Sequence, residues 1–215
     1  MNSKKLDVIP VYTPVLNGNE KKYVNECLDS TWISSKGKFV SKFEENFSKF
    51  LNVRHSTSVS NGTVALHLAL ISLGIGKDDE VIVPTLTYIA SVNAITYVGA
   101  KPVFADSHEK TWNIDPDKLL ELITPKTKAI MVVHLYGNSC DMDSIVKICQ
   151  ERDIFLIEDA AEAFGTKYNN REIAKNIEEL SVKLGIKYIP KDSRDNWYGV
   201  GWDLEDKIIK HFFIN

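Results

Sequence analysis

The chain has 215 residues, of which 44% are hydrophobic and 26% charged, with 26 basic against 29 acidic side chains and a formal net charge of −3 at pH 7. That is enough chain for one sizeable domain, or one domain with a short appendage, and the composition argues against disorder. It lacks the basic excess that nucleic-acid binding favours, and no apolar run approaches the ~20 residues that a membrane-spanning helix needs.

The first helical pattern covers Gly18 to Ser30, with apolar Tyr23, Val24, Cys27 and Leu28. A second covers Lys38 to Phe50, where Phe39, Phe43, Phe47 and Phe50 recur at helical spacing. Val64 to Leu73 reads as a helix that is apolar almost all round, and therefore buried. A short apolar strand, Glu80 to Pro84, precedes a helix over Ile89 to Val98 that stops near Gly99. Pro102 to Asp106 is a second strand, followed by a helix from Pro116 to Ile123 with Asp115 placed to cap it. Thr127 to Leu135 is a third strand, Asp143 to Arg152 a helix, and Ile154 to Ile157 a fourth strand that runs into Glu158 and Asp159. Near-continuous apolar strands alternating with helices predict an α/β, three-layer fold: a mostly parallel sheet covered on both faces, with the chemistry beyond the carboxyl ends of its strands.

From Ala174 to Asn215 the character changes. This tail holds seven basic and seven acidic residues together with Tyr188, Trp197, Tyr198, Trp202, Phe212 and Phe213. Ile177 to Leu184 is helix-like, and Leu204 to Phe213 reads as an amphipathic helix. Elsewhere the signals are sparse. Met1 to Pro10 has no apolar h-region, so no secretory signal is expected there. Cys27, Cys140 and Cys149 are odd in number and without CxxC spacing, which fits reduced thiols in a cytoplasm. His55, His67, His108, His134 and His211 show no ligand spacing, so no metal site is expected, and His67 reads as packing.

Three stretches carry candidate chemistry. Ser58-Val59-Ser60-Asn61-Gly62-Thr63 leads directly into a helix: Gly62 permits close backbone approach, Thr63 adds a hydroxyl, and the helix start offers unpaired N–H groups to a phosphate. A plain capped helix start is the other reading, and the commoner one on local sequence alone. Tyr88, just beyond a strand end, can stack on a flat ring, although such an aromatic is more often a core or rim residue. In Ile157-Glu158-Asp159-Ala160-Ala161-Glu162, a carboxylate at the end of a buried strand needs a cation or donors to meet it. A protonated pyridine nitrogen would do so for Asp159, and Glu162 could reach the ring's hydroxyl side or the reacting amine. A structural carboxylate, paired with a lysine or capping a helix, is the alternative.

Taken together, in order and spacing, these stretches resemble the DegT/StrS class of sugar aminotransferases, which have the fold-type I architecture. The likeness extends through Ile9-Pro10-Val11-Tyr12, Gly18-Asn19-Glu20, Ser30 to Gly37, Val59 to His67, Glu80 to Pro84, Pro102 to Asp106, His134-Leu135-Tyr136-Gly137 and Glu158 to Glu162. Within the class, Asp29 to Gly37 and Thr87-Tyr88 are most similar to the GDP-perosamine synthases. The resemblance implies pyridoxal 5'-phosphate as cofactor, a keto-sugar nucleotide of the GDP-4-keto-6-deoxymannose type as substrate, glutamate as amino donor, a role in surface polysaccharide biosynthesis, and a homodimer with its sites at the subunit interface. It implies that Gly62 and Thr63 hold the phosphate, Tyr88 stacks on the ring, Asp159 pairs with the ring nitrogen and Glu162 sits near the phenolic oxygen. Asn93 has a supporting place, and Trp32, Ser34 and Ser35 lie at the mouth of the site near substrate.

The resemblance covers residues 1–173, roughly four-fifths of the 215, and leaves 174–215 as a divergent tail. After the expected hairpin Thr166 to Ile173, the family has a Phe-Ser-Phe strand, an Asn-Lys pair whose lysine holds the cofactor, and a Gly-Glu-Gly-Gly turn. None of these is found. Ser181 and Lys187 are an echo at the wrong spacing, and Lys167, Lys175 and Lys183 read as surface lysines. Loss of such an acid–base group typically costs ~100- to 10,000-fold in rate. Two expectations follow: an aminotransferase-family chain crippled in catalysis, or a truncated or recombined remnant that at most binds ligand or a partner.

Overall fold

The computed structural model describes residues 15–169, together with the backbone course of 171–172, 200–203 and 208–211. Ile9 to Tyr12, the helix-like stretch 177–184, and Ser181, Lys175, Lys183 and Lys187 lie outside the described residues.

Two helices open the described chain, α1 (Glu20–Asp29) and α2 (Lys38–Leu51). Strands and helices then alternate: α3 (Gly62–Ser72), β1 (Glu80–Pro84), α4 (Ile89–Tyr97), β2 (Lys101–Ala105), α5 (Pro116–Leu122), β3 (Thr127–Val133), α6 (Met142–Arg152) and β4 (Phe155–Asp159). Each element lies within a few residues of its sequence-predicted span. Asp115 caps α5 as expected, its carboxylate accepting the Asp117 amide at 3.1 Å. A hairpin of β5 (Lys167–Tyr168) and β6 (Arg171–Glu172) follows, and then β7 (Val200–Asp203) and β8 (Ile208–His211).

The main sheet runs β2-β1-β3-β4-β8-β7. Every neighbouring pair in it is parallel except β7 with β8. The expected amphipathic helix over Leu204 to Phe213 is corrected here, because Ile208–His211 is a strand lying against β4. Two β-branched residues at its start favour an extended chain, and the open edge of β4 supplies hydrogen-bond partners that a surface helix would not have.

Strand alternation divides the core into two layers. Ile82, Ile130, Val132 and Leu156 face α5 and α6, packing with Leu119, Ile145 and Cys149. Val81, Val83, Ala129, Met131 and Ile157 face α3 and α4, packing with Leu66, Leu70, Ala94 and Ile95. All five residues of β1 are buried, as expected for a strand covered on both faces. Among the described residues no helix is long and apolar enough to cross a membrane. The three cysteines are free thiols.

Candidate functional site

The site is built where β1 and β4 end and α3 and α4 begin. α3 reaches β1 through a seven-residue turn, so the two run antiparallel. With a rise of about 1.5 Å per helical residue and about 3.3 Å per strand residue, an 11-residue helix and a five-residue strand have nearly equal length. The start of α3 therefore lies at the carboxyl edge of the sheet. There Asn61, in extended backbone conformation, caps the helix by accepting the Val64 amide at 3.0 Å. The Gly62 and Thr63 amides, which precede it, have no acceptor among the described residues. Two N–H groups with the positive end of a helix dipole behind them form an anion cradle.

Tyr88 is the N-cap residue of α4 and is 76% exposed. One turn later Ser91 is fully buried, and its hydroxyl donates to Asp159 Oδ2 at 2.8 Å. Thr87 Oγ1 lies 3.1 Å from the Ser91 oxygen. The Asp159 Oδ1 atom accepts the Ala161 amide at 3.2 Å. Asp159 is only 6% exposed, and no cationic side chain pairs with it among the described residues. The structure thus joins the Tyr88 turn directly to Asp159, and packs α3 against α4 on the same face of the sheet.

The carboxylate of Glu162 accepts the Tyr136 amide at 2.6 Å, lacing the turn after β4 to the turn after β3. Tyr136 itself sits in the left-handed region at φ 51°, and Thr166 donates to the Gly137 carbonyl beside it. Asn93 lies on α4, and its side chain makes no hydrogen bond among the described residues. Trp32, Ser34 and Ser35 lie in the exposed link between α1 and α2, with Trp32 55% exposed. Ser34 Oγ accepts the Lys36 amide there. No hydrogen bond joins this link to Tyr88, Asp159 or Glu162 among the described residues, so the structure does not tie it to that cluster.

Glu158 and Asp159, adjacent in the motif, point to opposite faces of the sheet. Glu158 is fully buried, with Oε2 3.2 Å from His134 Nε2 and Oε1 without a partner among the described residues. His134 Nδ1 accepts the Cys140 amide, leaving Nε2 to donate to Glu158. Burial pushes the neighbouring Cys140 thiol up to about 12, the Glu158 charge adding to it. His67 packs edge-on to Tyr97 at 5.9 Å, in line with a packing role. Among the described residues no cluster of His, Cys, Asp and Glu could hold a metal ion.

Sequence reasoning assigned no role to Ser91, and it placed Thr87 and Asn61 in motif stretches without their hydrogen-bonding roles. A signal was present for Ser91: one small hydroxyl at the centre of the apolar run Ile89-Ala90-Ser91-Val92, four residues after a threonine.

A profile of the DegT/DnrJ/EryC1/StrS aminotransferase family matches residues 14–181. GDP-perosamine synthase of Escherichia coli O157:H7 is 61% identical over 165 residues, 77% of this chain and 45% of that protein. The crystal structure of an aminotransferase from Psychrobacter cryohalolentis superposes with a TM-score of 0.72 at 38% identity, over 74% of this chain and 41% of that one. The structure of NtdA from Bacillus subtilis with bound cofactor PMP gives a TM-score of 0.67 at 35% identity, over 70% of this chain and 35% of that one. The chain thus spans less than half the length of these relatives.

Proposed function

From its membership in the DegT/DnrJ/EryC1/StrS aminotransferase family, we propose that this chain provides the ring- and phosphate-binding part of a pyridoxal-phosphate-dependent sugar-nucleotide aminotransferase. The observation that carries the reading is Asp159: a buried carboxylate held by two neutral donors, with no cationic partner among the described residues. An unpaired buried charge costs several kcal/mol. A protonated ring nitrogen would meet it, and the residues around it fit such a cofactor.

Gly62 and Thr63 would hold the phosphate with their free amides. Tyr88 would lie on the ring face, and Asp159 would keep the ring nitrogen protonated. Glu162, with one oxygen engaged by Tyr136, has the other available to the ring's hydroxyl side. When bound, the cofactor supplies an electron sink for moving an amino group between glutamate and a keto-sugar. The likeness to GDP-perosamine synthase favours a GDP-linked 4-keto-6-deoxy sugar as acceptor, in polysaccharide biosynthesis such as that of O-antigen, in the cytoplasm. Trp32, Ser34 and Ser35 are proposed to face that substrate.

We propose residues 1–173 as the cofactor-binding front of the family's large domain and 174–215 as a divergent addition. A homodimer is proposed as well. Tyr23, Phe39, Phe43, Phe50 and Phe164 line an open apolar groove of about 460 Å³, and apolar surface of this kind favours self-association.

The missing lysine motif favours a second reading: binding without turnover. Borohydride reduction in the presence of pyridoxal phosphate, followed by peptide mass mapping, tests it. Thin modification over exposed lysines is expected, whereas a single stoichiometric adduct would restore the full enzyme reading.

A further inference from the structure

The hydroxyl of Ser91 is the one polar side-chain group buried in an otherwise apolar helix start, and it does not bond back to its own helix as buried serines often do. It reaches across to a strand residue 68 positions later, Asp159. A serine hydroxyl has a single proton, and at 2.8 Å from a carboxylate oxygen that proton belongs to the bond with Asp159. Thr87 Oγ1, 3.1 Å from the Ser91 oxygen, also lies 3.3 Å from the Tyr88 carbonyl, so its one proton is shared between two acceptors. The bond whose direction is fixed is Ser91 to Asp159, with Thr87 beside it. With the Ala161 amide on Oδ1, each carboxylate oxygen carries one donor.

The geometry points to Ser91 as a positioning residue for cofactor binding, and this rests on the reading proposed above. The terminal torsion of an aspartate is broad and soft. Ser91 on one oxygen and Ala161 on the other remove that freedom, so the carboxylate is presented in one orientation. The same short turn sets a second element: the Ser91 amide donates to the Tyr88 carbonyl at 3.3 Å. Ser91 thus pins the first turn of α4 to the end of β4, fixing the separation between Tyr88, which would touch the ring face, and Asp159, which would touch its edge.

Pyridoxamine phosphate is the suitable probe because it has no aldehyde to attach to surface lysines. It is titrated calorimetrically into the wild-type chain, Ser91→Ala, Thr87→Ala, Asp159→Asn and the Ser91→Ala/Asp159→Asn double variant. The pH midpoint at which the bound ring nitrogen loses its proton is read from the near-ultraviolet absorbance. Ser91→Ala is expected to weaken binding about tenfold, as for a charge-assisted hydrogen bond, and to lower the midpoint. Thr87→Ala, which leaves the Ser91–Asp159 bond in place, is expected to do the same more weakly, by about threefold. In the Asp159→Asn background the Ser91→Ala change is expected to add nothing. Unchanged affinity and midpoint in Ser91→Ala overturn the inference alone, as does an equal loss in the Asp159→Asn background, which would assign Ser91 to packing. Absence of binding by the wild-type chain overturns the cofactor reading, and this inference with it.

Discussion

Asn61→Asp separates the two roles assigned to the start of α3. The Asn61 Oδ1 atom caps the helix through the Val64 amide at 3.0 Å, and aspartate caps as well as asparagine. A negative charge at a helix N-terminus adds about 0.3–1 kcal/mol of stability. The thermal midpoint is therefore expected to hold or rise. Phosphate binding is expected to suffer. An anion seated on the Gly62 and Thr63 amides would lie about 5 Å from the new carboxylate, where Coulomb's law gives about 1 kcal/mol per unit charge at the dielectric of water and about 3 kcal/mol at an effective value of 20. Asn61 is exposed, so the lower end applies. With up to two charges on a phosphate, the penalty is about 1–2 kcal/mol, or roughly 5- to 30-fold in Kd. Calorimetry with pyridoxamine phosphate at low ionic strength measures it, and added salt is expected to shrink the effect. Unchanged affinity in a stably folded Asn61→Asp variant would refute the placement of the phosphate at α3.

Tyr88→Ala is expected to weaken pyridoxamine phosphate binding by about 0.5–1.5 kcal/mol while leaving thermal stability unchanged, since the residue is largely exposed; this is read from the same titrations and a melting curve. At the opposite edge of the sheet, Thr124 Oγ1 and Lys101 Nζ hydrogen-bond Glu80 at 2.6 and 3.0 Å and hold its carboxyl below the usual range. Its stabilising contribution is thus present above about pH 4.5 and lost as pH falls through the lowered folded value, so Glu80→Gln is expected to destabilise at pH 7 and to match wild type in strong acid, as followed by denaturant melts across pH. Buried Cys140 and Cys149, both pushed up to about 12, are expected to resist alkylation at pH 8 until the chain unfolds, with Cys27 reacting first; mass spectrometry of labelled peptides reports the order.

Much of the scaffold was legible because periodicity and burial agree. Glu80–Pro84 reads as a doubly covered strand and is one, and the amphipathic stripe of Phe39, Phe43, Phe47 and Phe50 forms α2. The two-layer core follows from the same alternation. Long-range pairing was not legible. Nothing local says that Ser91 meets Asp159, since that bond depends on how α4 docks against β4. Nor does local pattern separate Glu158 from Asp159 in role, although strand geometry sends one to His134 and the other to Ser91. The sequence of Ile208–His211 fits helix as well as strand, because an apolar pair flanked by charges suits either period, and only the open edge of β4 decides between them.

The cofactor reading stands or falls on Asp159 as the ring-binding carboxylate. Titration of pyridoxamine phosphate into the purified chain and its Asp159→Ala variant tests this directly. One saturable site per chain, weakened at least tenfold in a folded Asp159→Ala protein, is the predicted result. Equal affinity in the two proteins, or no saturable site in the wild type, would contradict it.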